Sequence, residues 1–220
     1  MQPRLIIFDF DGTLADTTAT ILATYQMAIK ELNARPRTDA QCQATIGLPL
    51  KEGFRQLYPD FSECRLDTCV AVYRRIFNEN KSSLRPALYP GVEETLREID
   101  RLGIEMSVAS SRSKASLVEF CRETKIENFF RLILGADEVE RAKLHPEPVI
   151  KTLKALDVSP VQAVVVGDMP VDILMGRGAG CRTVGVTYGN SDRRGLVEAG
   201  ADFIIDAFPE LMGAVISPNR

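Results

Sequence analysis

The segment LIIFDFDGTL, residues 5–14, sets two carboxylates one residue apart at the end of an apolar run. Leu5, Ile6, Ile7 and Phe8 have the unbroken hydrophobicity of a strand buried on both faces of a parallel sheet. Residues i and i+2 of an extended chain point to one side, so Asp9 and Asp11 start on one face, and Gly12 lets the chain turn away behind them. Paired acids at the carboxyl end of a buried strand suit a hard divalent cation, which prefers oxygen ligands. Crowding also separates their roles: a cation holds one carboxylate ionised, while the like charge favours protonation of the other. A polar turn closing a strand has the same composition, so the pair takes its meaning from the rest of the chain.

Three further places put polar side chains at a strand end or just ahead of a helix. In MSVASS, residues 106–111, an apolar strand runs into Ser110 and Ser111. Ser110 offers an anion a hydroxyl with backbone N–H groups nearby, whereas Ser111 or Ser113 also fits a helix N-cap. In KLHPEP, residues 143–148, two prolines fix the entry to a helix, and Lys143 just upstream presents a charge suited to a phosphate. His145, the single histidine, reads as a loop or cap residue ahead of a base. In VVVGDMPVD, residues 164–172, another apolar strand ends in Gly167-Asp168, and Asp172 follows at the start of a helix, giving two more carboxylates for a cation. Together Asp9, Asp11, Ser110, Lys143, Asp168 and Asp172 supply a cation site, an anion cradle and a positioned nucleophile, the equipment of phosphoryl transfer.

The elements that must hold these residues have two textures. Residues 16 to about 84 read as helices alone: Asp16 or Thr17 caps a helix with Ile21, Leu22, Tyr25, Ile29 and Leu32 at helical spacing, and Arg35-Pro36 ends it. A short helix follows from Thr38, then the turn Gly47-Leu48-Pro49, a helix over 50–57, and a longer one over 61–80. From Pro86 helices and strands alternate, with strands expected over 104–109, 130–134, 163–166, 183–186 and 203–205. Such alternation predicts a parallel sheet with helices on both faces, to which the first strand, residues 4–10, also belongs. The helical block is then an insert just after Asp11, over the carboxyl ends of the strands, where open α/β sheets bind ligands.

With these four motifs in order, the chain resembles the haloacid dehalogenase superfamily, in its phosphatase branch with a helical cap, and most of all the phosphoglycolate-phosphatase-like group. DFDGTL at 9–14 is similar to the family's first motif, the strand ending in Ser110 to its second, Lys143 with HPEP to its third, and GDMPVD at 167–172 to its fourth. The resemblance implies an α/β fold, with a Rossmann-like parallel sheet over residues 1–15 and 86–220 and an inserted helical-bundle cap over 16–85. It implies Mg²⁺-dependent hydrolysis of a small phosphate monoester through an aspartyl-phosphate, with 2-phosphoglycolate the leading substrate. Asp9 would be the nucleophile, and Asp11 the acid that protonates the leaving oxygen and then the base that activates water. Mg²⁺ would be held by the Asp9 carboxylate, the Asp11 backbone carbonyl and Asp168, with Asp172 behind them. Ser110 and Lys143 would bind the transferring phosphoryl group, with Ser111 beside it, and Arg112 either joins them or faces solvent. Gly47-Leu48-Pro49 resembles the loop such caps lower over the site, which places Gly47 near the substrate; Lys51 or Arg55 just after it either reaches an anionic substrate or is a solvated helix residue, the commoner place for such charges.

The chain departs from the family pattern in three places. Leu144 stands where proline is usual after the lysine, Ser111-Arg112 where a small residue and lysine are frequent, and Gly176 and Gly178 where alanines are common. On helix propensity alone each glycine weakens its helix by up to roughly 1 kcal/mol. The acid at position 11 argues against the dehalogenase reaction. A phosphomutase of the β-phosphoglucomutase type shares the core chemistry, and a catalytically silent binding protein on the same fold is the alternative from another class.

Composition bounds the partners. The formal net charge of the 220 residues is −3 and the sequence pI about 5.4, which provides no electrostatic footprint for nucleic acid. No apolar stretch approaches the roughly 18–20 residues of a membrane span, and the N-terminal apolar run ends too soon for a signal peptide. The expectation is a cytoplasmic protein, a monomer or homodimer, acting on a small molecule without nucleic-acid or membrane partners. Five cysteines without a C-x-x-C pair read as free thiols.

Overall fold

A computed structural model describes residues 2–80 and 86–216. The expected end of the helical block, residue 85, therefore lies outside the described residues. Strand β1 (Leu5–Phe8) is wholly buried and central, as its unbroken hydrophobicity requires. The chain pairs briefly at β2 (Ala15–Asp16), then runs through helices α1 (Thr18–Glu31), α2 (Asp39–Gln43), α3 (Leu50–Leu57) and α4 (Glu63–Asn80). It returns through β3 (Ala87–Leu88) and α5 (Val92–Arg101) to β4 (Glu105–Ala109), α6 (Lys114–Glu123), β5 (Leu132–Leu134) and α7 (Glu147–Ala155). The last part is β6 (Ala163–Gly167), α8 (Pro170–Gly178), β7 (Arg182–Val186), α9 (Arg193–Glu198), β8 (Phe203–Ile205) and α10 (Leu211–Ile216).

Six strands form one parallel sheet in the order β5-β4-β1-β6-β7-β8. The chain builds outward from β1 through β4 to β5, then crosses back to β6 on the other side. The order thus reverses at β1, the switch point where such sheets form a ligand crevice. Register fixes what meets there. Phe8 lies level with Val108 on one side and Val166 on the other, so Asp9, Ser110 and Asp168 all emerge at one carboxyl edge.

Alternation along β1 feeds two hydrophobic layers. Ile6 and Phe8 join Val108, Leu96 and Val166 on one face, while Leu5 and Ile7 join Val149, Val165 and Met175 on the other. The helical insert has a cluster of its own, in which Tyr25 and Ile29 of α1, Phe54 of α3, and Leu66, Tyr73 and Ile76 of α4 pack together.

The start of the insert differs from the expected helix cap. Ala15 and Asp16 pair antiparallel with Leu88 and Ala87, so the chain entering the insert and the chain leaving it form a separate two-stranded ribbon. Thr17 occupies the N-cap position without a capping side-chain hydrogen bond. Two residues are too few to leave a period-two signal in sequence. The cysteines are free thiols, four of them buried and Cys64 exposed.

Candidate active site

The carboxyl edge of the sheet gathers a compact charged cluster. Asp9, directly after β1, is 3% exposed, and Asp168 and Asp172 are fully buried. Each of the three offers a carboxylate oxygen within 4.8 Å of the others. Lys143 lies among them with its side chain 1% exposed, donating to Asp9 and, at 2.7 Å, to Asp172. Asp172 caps its own helix by accepting from the Met169 N–H at 3.1 Å.

Asp168 is held both by the first motif and from outside the four motifs. Its Oδ1 accepts from the Thr13 hydroxyl at 3.2 Å, and its Oδ2 accepts from the backbone N–H and side-chain amide of Asn190 at 2.7 and 2.9 Å. The Asn190 amide oxygen in turn accepts from Thr18, the first residue of α1, at 2.9 Å, and Tyr188 donates to the Thr13 carbonyl at 2.9 Å. The sequence reading missed this brace. Its signal is the cluster Gly189-Asn190-Ser191-Asp192 at the end of β7, a turn composition at the same sheet edge as the recognised motifs. Gly12 completes the enclosure: its φ is +88°, and a Cβ there would stand 2.2 Å from Asp168 Oδ2.

Electrostatics follow from that burial. Desolvation pushes the Asp9 carboxyl well above its ordinary range, with Lys143 opposing and the charges of Asp172 and Asp168 adding to the rise. Burial and the Asp172 charge push Asp168 up to about 7, against the Asn190 hydrogen bonds. Burial would lower the Lys143 ammonium, but Asp172 and Asp9 hold it above its usual value. Three buried carboxylates against one ammonium leave negative charge uncompensated. The donor set is all oxygen, the ligand class that hard divalent cations prefer. Asp9, Asp168 and Asp172 are thus suited to a hard divalent cation.

Asp11 faces the other way. Its carboxylate takes a bidentate pair from Arg112, Nε at 3.1 Å and Nη2 at 2.6 Å. Burial acts to raise Asp11, but the Arg112 charge and hydrogen bonds outweigh it and hold the carboxyl below its ordinary value. Arg112 also donates to Ser116 at 3.0 Å and lies over the rings of Phe77 and Phe10, 5.1 and 5.9 Å from their centroids. Its backbone N–H donates to the Ser110 hydroxyl oxygen at 3.2 Å.

Asp9 and Asp11 share the wall of a cavity of about 240 Å³ that Ser110, Ser111 and Arg112 also line, roofed by the helical insert. Gly47 lines it too and ties the insert to the sheet, since its carbonyl accepts from the Ser111 hydroxyl at 2.7 Å. Lys51 does not reach it. Its ammonium is 2.5 Å from Asp67 and 3.1 Å from Glu63, because packing α3 on α4 sets acids opposite the basic face of α3. Arg55 likewise pairs with Glu52 and Glu63. His145 accepts from the Glu147 N–H at 3.1 Å, as a loop residue at the head of α7.

A family model described as haloacid dehalogenase-like hydrolase matches residues 6–186. The chain belongs to this family. It is 34% identical over 216 residues to the protein named "Probable phosphatase IndB" of Dickeya dadantii, covering 97% of this chain and 94% of that one. It is 29% identical over 220 residues to Pyrophosphatase PpaX of Anoxybacillus flavithermus, covering both in full. A solved haloacid dehalogenase-like hydrolase of Streptococcus pneumoniae shares the fold with a TM-score of 0.85 at 22% identity, over 96% of this chain and 98% of that one.

Proposed function

We propose that the chain, a phosphate hydrolase of the haloacid dehalogenase-like family, cleaves a small phosphate monoester by two successive displacements at phosphorus, with Asp9 as nucleophile. The observation that carries the reading is the division of labour between the two acids. Asp9 sits in the cation-ready cluster beside Lys143, while Asp11, two residues on, sits in the cavity clear of it and paired to Arg112. In the first step an Asp9 oxygen bonds to phosphorus as the ester P–O bond breaks and Asp11 gives its proton to the leaving oxygen. In the second, Asp11 takes a proton from water, whose oxygen bonds to phosphorus and frees Asp9. Mg²⁺ held by Asp9, Asp168 and Asp172 would supply compensating positive charge for the phosphoryl oxygens. Lys143 keeps Asp9 oriented, and Ser110 offers its hydroxyl to the anion.

Arg112 sets the protonation state of Asp11. While the pair is intact Asp11 stays ionised, the form a base needs. A phosphoryl dianion entering the cavity competes for the same guanidinium, and as Arg112 turns to it the Asp11 carboxyl rises towards the range of an acid. The helical insert, roofing the cavity and joined to the sheet through the β2–β3 ribbon, serves as its cap.

Hydrolysis of a generic aryl phosphate by wild type and Asp9→Asn tests the reading. An amide is a poor nucleophile and removes a ligand charge, so activity with Mg²⁺ should fall by more than about a thousandfold. A variant that keeps more than about a tenth of the wild-type rate would show that Asp9 is not the nucleophile.

A further inference from the structure

The cavity wall bears on the leaving group, and the inference rests on the phosphatase reading. Among the described residues that line the cavity, Asp9, Asp11, Arg112 and Arg74 are charged. The first two belong to the reacting end, and Arg112 serves Asp11 and the transferring phosphoryl group there. Arg74 is exposed, at the solvent edge of α4, where a cation contributes little. Lys51 and Arg55, the nearest basic residues of α3, are engaged by Asp67, Glu63 and Glu52.

The insert builds the rest of the wall from Ile21, Tyr25, Ile46, Leu50, Tyr73 and Phe77. The aromatic members adjoin one another: Tyr25 and Tyr73 meet edge-on with ring centroids 5.0 Å apart, and Tyr73 and Phe77 lie parallel at 6.5 Å. The remaining polar atoms are neutral, from residues such as Thr45, Asn78, Ser113 and Ser116. A second anion on the leaving group, whether the carboxylate of phosphoglycolate or the other phosphoryl group of pyrophosphate, would leave water for a wall whose described residues give it no buried counter-charge beyond the reacting end. An apolar or aromatic body gains by the same transfer.

We propose that the substrate is a phosphate monoester of an uncharged alcohol with a largely apolar or aromatic body, which the insert houses against Tyr25, Tyr73 and Phe77. The inference departs from the phosphoglycolate expectation while keeping the reaction.

The test compares benzyl phosphate, 2-phosphoglycolate and pyrophosphate on the whole protein with Mg²⁺. Benzyl alcohol and glycolate are both primary alcohols, so the first two substrates differ mainly in the charge and shape of what the wall must hold. Benzyl phosphate should exceed the other two in kcat/KM by roughly tenfold or more, since pocket complementarity of this kind discriminates on that scale. Leu50→Lys, on the part of the wall that α3 contributes, should narrow the gap by favouring phosphoglycolate and disfavouring benzyl phosphate. Phosphoglycolate or pyrophosphate turning over as well as benzyl phosphate would overturn the inference, most directly if Arg74→Ala then abolished that activity, since Arg74 would be the anchor of a second anion. If none of these substrates nor an aryl phosphate is hydrolysed, the phosphatase reading itself falls.

Discussion

Lys143→Met is the most severe test of the charge balance at the carboxyl edge. Methionine keeps most of the side-chain volume and removes the ammonium, which is buried and bonded to both Asp9 and Asp172. Removing one partner of a buried ion pair costs about 3–5 kcal/mol, because an uncompensated charge stays behind. Two carboxylates lose their partner here, so the upper part of that range is expected, set against a total stability of about 5–15 kcal/mol for a typical protein. The loss must depend on pH. Asp9 and Asp168 already titrate above their ordinary values because of burial, and loss of Lys143 raises the cluster further. A carboxyl whose folded-state pKa lies above its unfolded one binds its proton more tightly when folded, so stability falls as pH rises between the two values. The variant should therefore lose most at pH 8 and recover much of the difference at pH 5. Urea denaturation of both proteins in chelator, followed by far-UV circular dichroism, measures this. A loss below about 1 kcal/mol at pH 8, or a larger loss at pH 5 than at pH 8, would refute the argument.

The wild type should show the same sign on a smaller scale. In chelator, the Asp168 carboxyl at about 7 against an ordinary 3.8 implies stability that falls as pH climbs from about 4 to about 7, by on the order of 4 kcal/mol. Mg²⁺ should remove most of that fall, and thermal melts across pH with and without the ion would show it; a flat profile in chelator would contradict it. Asp11→Asn should cost on the order of a hundredfold or more on an alkyl phosphate and clearly less on an aryl phosphate, whose leaving oxygen needs little protonation. Equal losses on the two esters would remove Asp11 from the role of acid.

Much of the site was legible because it depends on local patterns. The runs at residues 5–8 and 163–166 read as buried strands, and on that reading the acids that follow them emerge at one edge of a parallel sheet. What escaped the sequence is set by distant contacts. Asn190 reaches Asp168 across 22 residues and Thr13 reaches it across 155, and neither spacing leaves a local mark. Lys51 had the right charge beside the right loop, but the acids of α4 that engage it are visible only once α3 packs.

Two departures from the family pattern take on a different meaning in three dimensions. Gly176 looked like a weakness in α8, yet a Cβ there would lie 2.9 Å from the Cβ of Val165 and 2.8 Å from the Thr183 methyl, so glycine lets the helix approach β6 and β7. Gly178 has only ordinary contacts, the nearest 3.4 Å away on Pro146, and for it the propensity cost stands. Leu144 adopts φ +80°, which the ring of proline forbids, so the segment after Lys143 follows a path that a proline at this position could not take. Lys143 is nonetheless fixed by its two carboxylate partners.

The central claim is that Asp9 attacks phosphorus and water attacks afterwards. The stereochemistry of the transferred phosphoryl group tests it most directly, using a phosphorothioate monoester whose two non-bridging oxygens are different isotopes, hydrolysed in water carrying the third oxygen isotope. Each in-line displacement inverts the configuration, so passage through an Asp9 phosphoryl intermediate predicts net retention in the inorganic thiophosphate released. Net inversion would mean a single direct attack by water, and Asp9 would then not be the nucleophile.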